Sequence, residues 1–143
     1  MLYDWRRGTF ERLEPNGDWS VTLDFQDWDY RVVCPLLPGG RALFGDVARY
    51  ATMGDLRVGG VAASVDSLSF DVIGMPGTAV AMHGYAAQPP HSVRAATYRS
   101  ERALARASAA DATARDVFWH DASGCWVVNV ALDQSGTARV TLS

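Results

Sequence analysis

The sequence predicts an all-β fold, an antiparallel β-sandwich, and three observations carry that expectation. Polar–apolar alternation recurs in short stretches: Trp19, Val21, Leu23 and Phe25 against Ser20, Thr22 and Asp24, then Leu68, Phe70 and Val72 against Ser69 and Asp71. A period of two marks a strand with one buried face. Turn signals built from Pro, Gly, Asn and Asp separate these stretches at intervals of roughly eight to twelve residues, the spacing of sandwiches and barrels. The chain has 143 residues, 48% of them hydrophobic and 20% charged, so one domain (1–143) with a real core is expected and wholesale disorder is not.

Each element follows from local chemistry. Residues 2–13 have strand character, anchored by Tyr3, Trp5 and Phe10. The run Glu14, Pro15, Asn16, Gly17, Asp18 is a turn, because Pro fixes φ and Asn-Gly supplies positive φ readily. Residues 19–25 form the alternating strand, and residues 28–35 a second, with Tyr30, Val32 and Cys34 on one face. Pro38, Gly39 and Gly40 turn the chain into a short third strand over 41–45.

Residues 46–54 are irregular, one helical turn or a loop. Strands are then expected over 56–65, 68–73 and 78–86, with Gln88, Pro89 and Pro90 closing the block. Residues 94–98 are strand-like. Residues 98–114 are rich in Ala, Arg and Glu but hold Leu104 as their one large aliphatic residue, so a short helix or loop insertion is expected there. Residues 117–120, 125–132 and 138–142 complete the strand set.

Charge and cysteine usage exclude several function classes. Net charge is −3 and all thirteen basic residues are scattered Arg, which argues against a nucleic-acid surface. No apolar run approaches the ~20 residues needed to cross a bilayer, so no membrane partner is expected. The opening MLYDWRRGTF lacks the apolar core of a secretory signal, giving a cytoplasmic expectation. Cys34 and Cys125 sit in apolar surroundings without a C-x-x-C spacing and read as small buried hydrophobes.

Catalytic motifs are missing. His83, His91 and His120 lack metal-ligand spacing, no nucleophile elbow or phosphate loop occurs, and neither a cofactor nor a metal is expected. The polar candidates are Asp27 and Asp29, which flank Trp28 and would share a strand face; two carboxylates beside an indole suit a sugar or calcium, or a partner surface. Trp126 is the second aromatic candidate for that surface. Their bland alternative is solvation of an outer face while the Trp side chains pack.

With the strand order in hand, the chain resembles the C-terminal β-sandwich of raffinose-synthase and seed-imbibition-type proteins, relatives of the family 36 α-galactosidases. The likeness rests on Trp5, Gly8 and Leu13; on Tyr30, Val32 and Pro35; on Gly45, Asp46 and Tyr50; and on Asp121 and Gly124 of the closing hairpin. Residues 98–114 depart from it. In that family the catalytic carboxylates lie on a (β/α)8 barrel of ~250 residues, which this chain has no room to form. The resemblance therefore implies a non-catalytic accessory module of a carbohydrate-active enzyme, with a catalytic barrel or an oligomer contact as partner. A stand-alone carbohydrate-binding module taking an oligosaccharide, and a small β enzyme without a recognisable motif, are the alternatives.

Overall fold

In the computed structural model, residues 1–14, 16–54, 56–97, 117–120 and 122–143 are described. Eleven strands are present among them: β1 (Leu2–Asp4), β2 (Thr9–Glu11), β3 (Arg31–Val33), β4 (Arg41–Gly45), β5 (Val58–Ala63), β6 (Leu68–Ile73), β7 (Ala79–Ala86), β8 (Val93–Thr97), β9 (Val117–His120), β10 (Cys125–Ala131) and β11 (Thr137–Leu142). All pairings are antiparallel. The expected all-β sandwich is the fold. The expected helix or insertion over 98–114 lies outside the described residues.

Two four-stranded sheets, ordered β4-β7-β10-β9 and β5-β6-β11-β8, face each other. Alternation builds the layer between them. Val80 and Met82 of β7 and Trp126, Val128 and Val130 of β10 point inward from one sheet; Leu68, Phe70 and Val72 of β6 and Ala138, Val140 and Leu142 of β11 meet them from the other. Trp126 stacks on Phe70 at 6.3 Å between centroids. Gly84, opposite Trp126 in the β7–β10 register, leaves the indole its space, since a Cβ there would fall inside the ring. Burying a side chain of this size contributes on the order of 2–3 kcal/mol.

A third, small sheet, β2-β1-β3, packs on the outside of β4. The short strand β4 serves both layers by parity: Leu43 joins the sandwich core, while Ala42 and Phe44 join Met1, Tyr3 and Cys34 in a second cluster. Phe10 completes it, 4.7 Å from Tyr3 and 4.8 Å from Phe44. At the end of β4 a bulge sets Gly45 opposite His83, with φ of 82° at Gly45. A Cβ at that glycine would overlap the Thr52 carbonyl, so the turn over residues 46–52 requires it.

The strand character of residues 2–13 takes the form of a hairpin turned at Gly8. One expectation is corrected here. Residues 19–25, for all their alternation, are not a strand: they run along the surface without a ladder partner. Period two states only that a segment could lie half-buried in a sheet; a neighbouring edge has to be offered. Both cysteines are buried and free, and burial pushes the Cys34 thiol up to about 11 and the Cys125 thiol upward. No helix among the described residues is long and apolar enough to cross a membrane.

Candidate functional site

The candidate site grows out of the β1–β2 turn. The Asp4 carboxylate accepts from the Arg7 N–H at 2.9 Å while its carbonyl accepts from the Gly8 N–H at 2.8 Å, fixing a tight turn that projects Trp5, Arg6 and Arg7. On the neighbouring strand Arg31 lies opposite Asp4 in register. Its guanidinium reaches Asp4 Oδ2 at 3.1 Å and Asp29 Oδ2 at 3.0 Å, with Glu11 farther off at 3.8 Å. The Arg31 side chain is only 11% exposed and that of Asp4 only 4%. A planar guanidinium forking between two carboxylates is the arrangement that makes such burial tolerable. Trp19 covers it, with the Arg31 guanidinium carbon 4.2 Å from the ring centroid.

A second arginine organises the solvent side. Arg6 pairs with Asp27 and also donates to the Trp28 carbonyl at 3.2 Å, and its guanidinium lies 5.5 Å from the Trp28 ring centroid. Asp27 Oδ1 accepts from the Trp28 N–H at 2.9 Å. The Arg6 hydrogen bond, helped by that N–H, holds the Asp27 carboxyl below its ordinary value, so it stays an acceptor at neutral pH.

Beside these charges stands an aromatic cluster. Trp5 stacks on Tyr50 at 4.9 Å, meets Tyr30 edge-on at 6.3 Å and lies 6.1 Å from Trp28. Its indole N–H donates to the Val47 carbonyl at 3.0 Å, and the Tyr30 hydroxyl donates to the Tyr50 carbonyl. These bonds pin the 46–52 turn to the small sheet.

Asp27, Trp28 and Asp29 therefore come together, although not on a strand face as expected: they precede β3 and line one hollow of about 300 Å³ with Asp4, Arg6 and Arg31. Val21 and Leu23 form its other wall. Trp126 is not part of that surface. It is 1% exposed in the sandwich core, and the signal lay in its parity with Val128 and Val130. The arginines and the Trp5–Tyr50 stack escaped sequence reading, because partners up to 45 positions apart leave no local pattern.

The arrangement suits recognition better than proton transfer. Each carboxylate is held by a guanidinium, whereas a general acid needs a carboxyl whose proton affinity has been raised. Elsewhere, a larger hollow of about 540 Å³ lies among turns holding Gly39, Val65, Asp66 and His91. The Arg41 guanidinium at its rim is already committed to the Val65 and Asp66 carbonyls at 2.7 and 3.1 Å. His83, beside the β4 bulge, has a buried Nδ1 without a partner among the described residues, and burial lowers its pKa. No group of three or more His, Cys, Asp or Glu placed to hold a metal ion occurs among the described residues. No protein-family model and no curated protein sequence matches the chain.

Proposed function

We propose that this chain is a non-catalytic accessory module of a carbohydrate-active enzyme resembling raffinose synthase or α-galactosidase, and that it packs against the enzyme's (β/α)8 barrel. The observation that carries the reading is the exposed apolar surface of the N-terminal region. Phe25 is 92% exposed, Tyr50 63% and Trp28 46%, with Trp19, Val21 and Leu23 also open to solvent. A concentration of large apolar groups on one region marks a surface that a partner covers. Support also comes from the residues behind the family likeness: Trp5, Tyr30 and Tyr50, distant in sequence, meet in one cluster. The two free, buried thiols accord with a reducing compartment, in keeping with a cytoplasmic enzyme.

The coding sequence before the Met1 codon and the neighbouring genes supply the first test. The expected result is a reading frame for a barrel with paired catalytic carboxylates, whose product co-purifies with this chain and loses it when Phe25 and Tyr50 are replaced by Ser. Absence of any barrel gene, or a barrel that never associates, contradicts the reading. One observation favours a second reading, a saccharide-binding module: the hollow that gathers Asp27, Trp28 and Asp29.

A further inference from the structure

We infer that this hollow is a site for a neutral saccharide of one or two rings, and that residues 17–25 form a strap seated over it. The inference rests on the second reading and gives that reading a place, a ligand class and a moving part.

The ligand class follows from charge. Three guanidiniums, of Arg6, Arg7 and Arg31, line the hollow against three carboxylates, of Asp4, Asp27 and Asp29. With three positive and three negative groups, neither an anion nor a cation meets a net opposing field. A polyol gains from both signs, since each hydroxyl donates to a carboxylate oxygen and accepts from a guanidinium N–H. Acceptor capacity remains. The bonds to Arg6, to the Trp28 N–H and to Arg31 use Asp27 Oδ1 and Asp29 Oδ2, and leave each second oxygen free of them. The Arg7 side chain, 74% exposed, comes no nearer to Asp4 than the 3.7 Å of its guanidinium, although the Arg7 N–H bonds that carboxylate. Trp28, Val21 and Leu23 add apolar walls suited to the C–H faces of a sugar ring. A volume of about 300 Å³ lies at the low end of small-ligand sites, which run from roughly 300 to 1,000 Å³, and so limits the ligand to one or two rings.

The strap follows from the backbone. Asn16 and Gln26, with φ of 60° and 65°, are the two non-glycine residues in the left-handed region among those described, and they bracket residues 17–25. Between them, Trp19, Val21 and Leu23 alternate as a strand would, yet no backbone hydrogen bond among the described residues ties residues 18–23 to a sheet. Trp19 seats the segment on Arg31 at 4.2 Å, and Val21 and Leu23 are each about half covered. A segment between two turn points that rests on side-chain contacts without a ladder can lift and reseat, with Val21 and Leu23 returning as the wall.

The experiment is a titration of the full chain with glucose, galactose, sucrose and maltose, with inorganic phosphate and calcium chloride as charged probes. Backbone amide NMR shifts locate the response, and each variant's melting temperature reports whether it folds. The expected result is saturable binding of at least one sugar, with shifts concentrated at residues 17–31 and no saturable response to phosphate or calcium. D27N and W28A alter exposed side chains, keep the melting temperature, and weaken binding about tenfold or more. W19A, which unseats the strap, weakens it several-fold. Saturable sugar binding with shifts elsewhere, or unmoved by D27N and W28A, overturns the placement while leaving the second reading standing. Saturable phosphate or calcium binding at residues 17–31 overturns the ligand class. No saturable binding of any sugar well above millimolar overturns both.

Discussion

The sandwich and the small N-terminal sheet both bury apolar side chains, but the small sheet adds a second kind of contact. Between the two large sheets, Trp126, Phe70, Met82 and Val128 are closed off from water, and strand parity alone assigns each to its layer. Around β1 and β3, strands of three residues offer too little ladder to stand by themselves. Beside the apolar cluster of Tyr3, Cys34 and Phe44, the chain there is organised by arginines: Arg31 between Asp4 and Asp29, Arg6 on Asp27, and indoles laid over or beside both. Apolar burial is non-directional and sums over area, which suits a scaffold. Guanidinium–carboxylate contacts are directional and partly wet, which suits a surface that has to meet something else.

The comparison can be broken from the scaffold side first. Trp126→Ala opens a cavity under Phe70 and is expected to cost about 3–5 kcal/mol, read as a shift in the urea midpoint. Next in size is Arg31→Ala. It strands the buried Asp4 carboxylate and releases Trp19, so a loss of about 3 kcal/mol is expected, with residues 17–31 losing NMR dispersion before the sandwich does. If Arg31→Ala costs nothing measurable, the arginine network is decorative and the contrast fails.

A pH effect comes third. Burial lowers the His83 pKa below its ordinary 6.5, so on acidification the unfolded chain takes up the proton first. The stability this group contributes is whole above the unfolded value and is lost as pH falls through the folded one. Urea midpoints should therefore decline below about pH 6.5, and His83→Gln should remove that part of the decline. A midpoint equally pH-dependent in the variant would remove His83 from the account. The smallest effects belong to the strap: Trp19→Ala is expected to cost about 0.5–1 kcal/mol and Phe25→Ser to stay within about 0.5 kcal/mol. Larger losses would mean that the segment is core.

Legibility in the sequence divides along the same line. The bounds expected for the strands over 41–45, 68–73 and 117–120 match β4, β6 and β9; in β6 alternation coincides with a buried face, in β4 both faces are buried because it serves two layers, and β9 holds only half-buried and exposed positions. Residues 19–25 carry equally good alternation, yet β3 spans only Arg31–Val33 and they pair with no ladder, so the pattern stayed unused. At the site, Asp27, Trp28 and Asp29 were found as neighbours in sequence. Arg6 and Arg31, which decide what those groups can do, were not, since a cross-strand pair such as Asp4 with Arg31 depends on register.

Residue-resolved hydrogen exchange of the free chain tests the central claim most directly, namely that a rigid sandwich carries an unladdered strap. Amides of β6, β7, β10 and β11 should exchange only through global unfolding, while those of residues 18–23 exchange at nearly unprotected rates. Protection of Val21 and Leu23 comparable to that of Phe70 and Val128 would show a laddered strand there and contradict the account.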